Sequence, residues 1–214
     1  MHPKKIVYIT SSAHKRKESE YFIESRLANG KIVKDVVHFD FRSIAIKEVL
    51  DVDLSVIVSA EVLEAYQLIQ VPCIVEHAGL IYDDYVSASY PGGLTKAMWN
   101  ALKADFVKET NANNRKVIAR AVVGYCNGMT IETFTGETRG TISATPKGLS
   151  DFYWDTIFIP DDPNGISQGS KTYAEIAADP ALGIAHKVSI SQSTKAMRAF
   201  VDYLTTESTL DLWR

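Results

Sequence analysis

Apolar side chains along the chain follow two spacings, one typical of buried strands and one typical of helices. Residues 5–10, 31–39 and 72–75 are short runs rich in β-branched and aromatic side chains, and this pattern predicts strands. Residues 54–69 and 190–204 carry apolar side chains at helical spacing, which predicts helices that bury one face.

Capping residues indicate two further helices. A charged helix is predicted over residues 14–28, with Ser11 or Ser12 as its N-cap and Gly30 just beyond its end. Another helix is predicted over residues 94–107, after a Pro-Gly-Gly turn.

A long hairpin completes the pattern. Residues 116–126 and 129–142 are predicted to be its strands, and Asn127-Gly128 predicts a type I′ turn between them. Strands that alternate with helices and then form a hairpin predict an α/β fold, with a mixed sheet and flanking helices. The hairpin is expected to extend a long central sheet.

Composition narrows the class of protein. The 214 residues are 46% apolar and carry a net charge of −3, which suits one compact domain over residues 1–214. The chain lacks the basic surplus typical of proteins that bind duplex nucleic acid. No apolar run is long enough for a signal peptide or a membrane span, so we expect a cytoplasmic protein without membrane partners. Cys73 and Cys126 lie in apolar stretches and are expected to be buried free thiols.

The first predicted strand leads into a candidate anion site. A turn containing Thr10 and Ser12 follows the strand, and Lys15 lies at the start of the next helix. Free N–H groups and the helix dipole favour phosphate at such a position. The Gly and Lys spacing of the Walker P-loop is absent. Taken alone, the charged residues here also fit a solvated helix face.

Two glutamates are candidates for a metal site. Glu48 and Glu76 flank the middle helix in sequence, and two carboxylates near a phosphate site could hold Mg²⁺, which favours oxygen ligands. Glu76 and His77 are expected at the C-terminal end of the 72–75 strand, where open α/β sheets place ligands. Glu48 alone also fits a surface position. His77 could be a base, a metal ligand or a polar side chain satisfied by a neighbour.

An aromatic segment is a candidate base-binding site. Residues 152–155 read Phe-Tyr-Trp-Asp and precede an apolar run. Aromatic side chains can stack on a nucleobase, and a carboxylate can accept hydrogen bonds from its N–H groups. The alternative is an aromatic cluster in the core.

Six short segments, spread over nearly the whole chain, form an ordered set. They are Thr-Ser-Ser-Ala-His-Lys at 10–15, followed by Glu18; Val-Glu-His-Ala-Gly-Leu at 75–80; Tyr-Pro-Gly-Gly at 90–93, followed by Lys96; Gly-Glu-Thr-Arg-Gly-Thr-Ile at 136–142; Asp-Phe-Tyr-Trp-Asp at the start of 151–161; and Thr-Tyr-Ala-Glu at 172–175, followed by Lys187. Each is weak alone, but in this order they resemble the inosine/xanthosine triphosphate pyrophosphatase family, with this chain a divergent member.

The resemblance implies a fold and an activity. The implied fold is a two-lobed α/β structure with a cleft around a long sheet, usually in a homodimer. The implied reaction is hydrolysis of a nucleoside triphosphate to monophosphate and pyrophosphate, with Mg²⁺, or Mn²⁺ in its place, as cofactor. The implied substrates are non-canonical purine nucleotides such as ITP, XTP and dITP.

The resemblance also implies roles for residues matched by position. The phosphates would be neutralised by Lys15, Lys96 and Lys187. The metal would be held by Glu48 and Glu76, and catalysis would involve Lys15, Glu76 and His77. The remaining substrate contacts would come from Thr10, Ser12, Phe152, Trp154, Asp155 and Gln192.

Several positions depart from the family pattern. The acid after the strand glutamate is His77, a lysine of the middle helix is Glu61, and a Ser-His-Arg motif is Ser-Gln-Ser at 191–193. Gln192 could read a different base edge, because its amide offers both a donor and an acceptor. Tyr153 replaces a glycine and adds bulk beside the base pocket.

Three functions remain open at this point. The matched residues favour an active pyrophosphatase with the family reaction and a shifted base preference. His77 and Glu61 motivate a second hypothesis, a nucleotide-binding protein that has lost catalysis and acts as a sensor. The third is a related phosphohydrolase that acts on another phosphate ester or a modified nucleotide.

Overall fold

The strands form one mixed sheet. The computed structural model describes residues 2–110, 112–149, 153–162 and 169–206. The strands are β1 (Lys4–Ile9), β2 (Val37–Arg42), β3 (Cys73–Tyr82), β4 (Pro91–Gly92), β5 (Lys116–Cys126), β6 (Ile131–Ile142) and β7 (Phe158–Pro160). Within the described residues they join in the order β2-β1-β3-β5-β6-β7, and β4 pairs with β3. The β1 strand is parallel to β2 and β3, and every other pairing is antiparallel.

Helices flank this sheet. The α-helices are α1 (Ala13–Phe22), α2 (Leu54–Ile69), α3 (Thr95–Leu102), α4 (Tyr173–Ala178), α5 (Gly183–Ile190) and α6 (Gln192–Thr206). Short 3₁₀ helices span Val33–Asp35, Asp83–Ala88, Lys103–Glu109 and Tyr153–Thr156. The α2 helix packs on β3 and β5, and α6 packs on β5 and β6. Across the described ranges, no helix has both the length and the apolar character needed to cross a membrane.

The long strands contribute to different cores at their two ends. Ile74 and Val75 of β3 belong to clusters formed with β1, α2 and α6. Leu80 of the same strand belongs to a cluster with Trp154 and Tyr173. We call the part around β1, β2, α1, α2 and α6 the first lobe, and the part around β4, β7, α3 and α4 the second lobe. The predicted α/β fold with a long mixed sheet and flanking helices is confirmed.

One edge of β3 is open where the lobes meet. Of the described residues of β3, Cys73 and Ile74 pair with β1 on this edge, and Leu80 and Ile81 pair with β4. Among the described residues, no strand covers positions 75–79 on this edge, while β5 covers the opposite edge of β3 throughout. The gap therefore gives access to side chains on both faces of β3.

Two predicted strands have different bounds. The strand predicted over 72–75 continues to Tyr82, so Glu76 and His77 lie in its middle and not at its C-terminal end. The apolar pattern is interrupted there because the polar pair borders the gap in the sheet. The strand predicted over 31–39 is a 3₁₀ turn followed by β2.

Two predicted helices are shorter than expected. The helix predicted over 14–28 ends at Phe22, because the carbonyls of Ile23 and Ser25 accept from the N–H groups of Lys34 and Val33, each at 3.0 Å. The helix predicted over 94–107 breaks at Lys103, whose φ is 51°.

The hairpin is confirmed, but its turn differs from the prediction. A type I′ turn needs positive φ at both central residues, and of Asn127-Gly128 only Gly128 has one, at 91°. Residues 127–130 connect the strands instead. The Oδ1 atom of Asn127 accepts from the backbone N–H groups of Met129 and Thr130, each at 2.9 Å.

Candidate active site

A cleft of about 520 Å³ opens at the gap beside β3. Its walls come from the β1–α1 turn, residues 44–50, α2, the middle of β3 and α3. This volume lies in the range of small-molecule sites. The predicted site residues that line it are Thr10, Ser12, Lys15, Glu48, Glu76, His77, Lys96 and Trp154. The fold therefore brings together residues that are far apart in sequence.

Hydroxyl groups fix the β1–α1 turn. Ser12 is the N-cap of α1, and its Oγ accepts from the N–H of Lys15 at 3.3 Å. The Oγ1 atom of Thr10 accepts from the N–H of Ser12 at 3.1 Å, and Arg16 donates to the Thr10 carbonyl at 3.0 Å. These bonds place the Lys15 side chain at the helix start, where it reaches β3.

Glu76 is a buried carboxylate in which one oxygen is hydrogen-bonded and the other has no partner in the protein. Its Oε2 accepts from the hydroxyl of Tyr8 and lies 3.5 Å from Nζ of Lys15, which donates to the Glu76 carbonyl. Its Oε1 is buried without a hydrogen-bond partner in the protein. Leaving such an atom unpaired costs about 1–3 kcal/mol, so this oxygen is a candidate contact for a water, a metal or a substrate.

Tyr8 holds Glu76 as a protonated donor. Burial, and then the charge of Glu76, raise the pKa of Tyr8 well above its ordinary value. None of the sequence motifs includes Tyr8. Its only signal is a hydroxyl within an apolar strand, two positions before Thr10.

Glu76 and His77 are successive residues of β3, so their side chains lie on opposite faces of the strand. On its own face, His77 contacts Glu61 of α2. The Nε2 atom of His77 lies 2.6 Å from Oε2 of Glu61, which is 2% exposed. The Oε1 atom of Glu61 has no partner in the protein. Two of the departures from the family pattern therefore touch each other. The family pattern has the acid on β3 and the base on α2, whereas here the base, His77, is on β3 and the acid, Glu61, is on α2.

A second acid–base pair lies at the cleft mouth. Nζ of Lys96 lies 2.6 Å from Oε1 of Glu48, and both side chains are well exposed. The hydrogen bond from Lys96 lowers the pKa of Glu48. Burial lowers the pKa of Lys96, but Glu48 outweighs that effect and the net change is a rise. An exposed pair contributes at most about 1 kcal/mol, so both charges can rearrange toward a ligand.

Asp155 and Lys187 belong to a buried cluster outside the cleft wall. Lys187 donates to Oδ2 of Asp155 and lies 2.8 Å from Oε1 of Glu18, which is also 3.0 Å from Nε2 of His14. Burial raises the pKa of Asp155 despite the opposing charge of Lys187. The two carboxylates outweigh burial at Lys187 and raise its pKa.

The predicted base-binding residues are placed as follows. Trp154 is 1% exposed and packs edge-on against Phe158, with 5.7 Å between ring centroids. Gln192 lies outside the cleft wall, is 4% exposed and accepts from the hydroxyl of Tyr173 at 3.1 Å. Phe152 lies outside the described residues. Their roles in base binding stay predictions.

The cleft suits a metal ion that arrives with phosphates. Among the described residues, no group of three His, Cys, Asp or Glu side chains is placed to hold a metal. The free Oε1 atoms of Glu61 and Glu76 are ligands of the kind that Mg²⁺ prefers. Proteins commonly bind Mg²⁺ through one or two carboxylates and complete its shell with substrate phosphates and water.

Sequence comparisons match almost the entire chain to one family. The model of the Ham1 family matches residues 6–203. The dITP/XTP pyrophosphatase of Methanopyrus kandleri is 33% identical over 135 residues, which cover 62% of this chain and 64% of that protein. The inosine triphosphate pyrophosphatase of Saccharomyces cerevisiae is 27% identical over 204 residues, which cover 93% of this chain and 95% of that protein.

Solved structures share the fold. A HAM1 protein from Coxiella burnetii superimposes with a TM-score of 0.68 at 17% identity, over 97% of this chain and all of that one. The Ham1 protein of Staphylococcus aureus gives a TM-score of 0.61 at 16% identity, over 96% of this chain and all of that one. Because the family model spans nearly every described element, the resemblance seen in the ordered motifs is confirmed, and the chain belongs to the Ham1 family.

Proposed function

We propose that this protein is a metal-dependent nucleoside triphosphate pyrophosphatase. Its substrate would be a non-canonical purine nucleotide such as ITP, XTP or dITP, or another base selected by the changed residues. Its metal would be Mg²⁺ or Mn²⁺. One observation carries the proposal, the buried Glu76 carboxylate with a free oxygen beside Lys15 in a cleft of nucleotide size. The names of the relatives, dITP/XTP pyrophosphatase and inosine triphosphate pyrophosphatase, support the reaction.

In the proposed reaction, the residues that line the cleft have different roles. A water attacks the α-phosphorus, the bond to the oxygen that bridges the α- and β-phosphates breaks, and pyrophosphate leaves. Glu76, held through Oε2 by Tyr8, orients or deprotonates the water through Oε1. Lys15 and Lys96 neutralise phosphate charge, which is the main task in phosphoryl transfer. A bound divalent cation would neutralise further charge on the phosphates.

Base recognition would fall to the second lobe. Trp154 lines the cleft, so we assign it the base contact together with Phe152. Asp155, behind that wall, keeps its proposed base contact, and Lys187, its ion-pair partner, keeps its proposed role in neutralising phosphate charge. Tyr153 also lines the cleft and would change which base is accepted, whereas Gln192 would act through Tyr173.

A substrate panel tests this function. Purified protein is incubated with canonical and deaminated nucleoside and deoxynucleoside triphosphates, first with Mg²⁺ and then with Mn²⁺, and pyrophosphate and monophosphate are quantified. We expect equimolar products from at least one substrate. Glu76→Gln should lower kcat/KM by about 100-fold or more. Glu20→Gln, at an exposed position of α1, is the control and should leave the rate unchanged.

The same panel separates the other hypotheses. Nucleotide binding without turnover by any substrate would overturn the enzymatic proposal in favour of a sensor. Release of orthophosphate in place of pyrophosphate would favour a related phosphohydrolase.

We also propose a homodimer formed through α2. Val56 and Leu63, which lie two helical turns apart on the same side, are 47% and 43% exposed. Neighbouring exposed apolar side chains are typical of interfaces. Light scattering should give twice the chain mass of 23.7 kDa, and Leu63→Glu should lower it to the mass of one chain. Val86→Glu, at an exposed apolar residue of the second lobe, should not. A monomeric wild-type protein would contradict the proposal.

We further propose that residues 1–214 act as one catalytic unit in the cytoplasm. Both lobes contribute walls to the cleft, which supports a single unit. Fractionation of cells that make the protein should recover pyrophosphatase activity with the cytosol. Recovery with membranes would contradict this location.

A further inference from the structure

Glu61 occupies a position that calls for a positively charged contact. Its side chain is 2% exposed, lines the cleft and holds only one of its two carboxylate oxygens in a hydrogen bond. The other oxygen, Oε1, is buried without a partner in the protein. A buried charged oxygen in a ligand cleft is unfavourable unless a cation or a donor reaches it.

The neighbours of Glu61 fix its orientation. His77 lies 2.6 Å from Oε2, so that oxygen and the plane of the carboxylate are held from β3. Burial lowers the pKa of Lys96, at the cleft mouth, but the hydrogen bond and charge of Glu48, with a smaller contribution from the charge of Glu61, raise it overall. Two acid–base pairs, Glu61 with His77 and Glu48 with Lys96, therefore line the cleft. Glu76 lines the same cleft from β3.

The geometry points to Glu61 as a ligand of the divalent cation in this cleft, with His77 as the residue that positions it. In this arrangement the carboxylate that position 77 lacks comes from α2, and Oε1 of Glu61 binds the cation that accompanies the nucleotide phosphates. The inference rests on the proposed function, because it takes a metal–nucleotide complex as the ligand. A carboxylate bound to metal through one oxygen and oriented by a neighbour through the other is a common arrangement in metal sites.

Mn²⁺ binding tests the inference without requiring turnover. The full chain is mixed with an α,β-methylene nucleoside triphosphate, which cannot be hydrolysed between its α- and β-phosphates, and bound Mn²⁺ is measured by electron paramagnetic resonance. Glu61→Gln keeps the shape of the side chain but removes its charge. We expect Mn²⁺ affinity to fall about tenfold or more. Glu20→Gln, at an exposed position of α1, should bind Mn²⁺ as the wild type does.

The role of His77 has its own test. His77→Gln keeps a donor that can reach Glu61, so it should retain Mn²⁺ affinity better than His77→Ala does. Equal affinities for these two variants would overturn the positioning role.

If Glu61→Gln does not fold, a pair of variants that exchanges the charges of positions 61 and 77 provides a second test. Glu61→Lys alone places two bases together and should lose Mn²⁺ binding. The double variant Glu61→Lys with His77→Asp restores an opposite pair, with the acid now on β3, and should recover affinity. A folded double variant that binds Mn²⁺ no more tightly than Glu61→Lys would overturn the inference.

The outcomes separate this inference from the proposed function. Wild-type affinity for Mn²⁺ in Glu61→Gln overturns the inference, and pyrophosphate release by the wild type would still support the function. Loss of Mn²⁺ binding in Glu61→Gln supports the inference, and a wild type that releases no pyrophosphate would then contradict only the catalytic proposal.

Discussion

The ammonium group of Lys187 is almost entirely removed from water and forms ion pairs with two carboxylates. Asp155 is its buried partner, and Glu18 reaches it from α1 at 2.8 Å. Burial alone would raise the pKa of Glu18, but the charge of Lys187 and the hydrogen bond from His14 outweigh it and lower that pKa from 4.5 to about 2. The cluster therefore links α1 to α5 through charge.

Removing the Glu18 charge should destabilise the protein in a pH-dependent way. Since its pKa is lowered on folding, its contribution is fully present above pH 4.5 and is lost as the pH falls toward about 2. We expect Glu18→Gln to lower the free energy of unfolding by about 1.5–3 kcal/mol at pH 7. Urea unfolding across this pH range should show the gap to wild type closing below pH 4.5.

A neighbouring carboxylate is the control for Glu18. Glu20→Gln, at an exposed position of the same helix, should change the free energy of unfolding by less than about 0.5 kcal/mol at any pH. A Glu18→Gln deficit that stays constant down to pH 2 would show that shape, and not charge, accounts for the loss.

The α4 helix has a strong start signal in a short segment. Thr172 is its N-cap, the hydroxyl accepts from the N–H of Glu175 at 3.2 Å, and the Glu175 side chain accepts from the N–H of Thr172 at 2.9 Å. The Thr172 hydroxyl also donates to the carbonyl of Lys147 at 3.0 Å. This capping box therefore both begins α4 and ties it to the chain before β7.

Substitution at Thr172 should separate the hydroxyl from the methyl group. Thr172→Ala should cost about 1–2 kcal/mol in the free energy of unfolding, because a capped N–H and a carbonyl lose their partner. Thr172→Ser keeps the hydroxyl and should retain most of that stability in urea unfolding. Equal losses in the two variants would mean that packing of the methyl group, which is fully buried, is the main contribution.

Local patterns predicted the long elements of this fold, and tertiary contacts decided the rest. The α2 and β5 elements have the predicted bounds, because their apolar spacing is sustained. The α4 and α5 helices were not predicted, since each is too short for its spacing to repeat. The end of β3 was misplaced because a polar pair in mid-strand has the same local pattern as a strand end.

Part of the candidate site could be predicted, and part could not. The turn with Lys15 and the glutamate at position 76 carry recognisable local patterns, and the fold brings them together. The contact between Glu61 and His77 had no sequence signal, because it depends on how α2 is rotated against β3. The same holds for Tyr8, whose role is set by a partner 68 positions away.

The cleft lies between two lobes that share the strands β3 and β5. Cys73 and Cys126 are directly opposite each other on these strands, in the first lobe, and both are buried free thiols as predicted. Burial, and then the proximity of Cys126, raise the pKa of Cys73 to about 12. Because a thiolate is the reactive form, Cys73 should not react with a disulfide reagent until the structure opens. Cys126 is 3% exposed, so burial shields it from the reagent in the same way.

Thiol labelling can therefore report whether the two lobes open together. A nucleotide that binds only the native cleft slows every opening that destroys the cleft by a factor of one plus the ratio of its concentration to its Kd. With Mg²⁺ and an α,β-methylene nucleoside triphosphate at 100 times its Kd, labelling of Cys73 and Cys126 should slow by about 100-fold. This result would mean that the first lobe cannot expose its core while the cleft persists, as expected if residues 1–214 unfold as one unit. If the analogue binds but labelling is unchanged, the first lobe opens independently of the cleft, and the single-unit proposal is wrong.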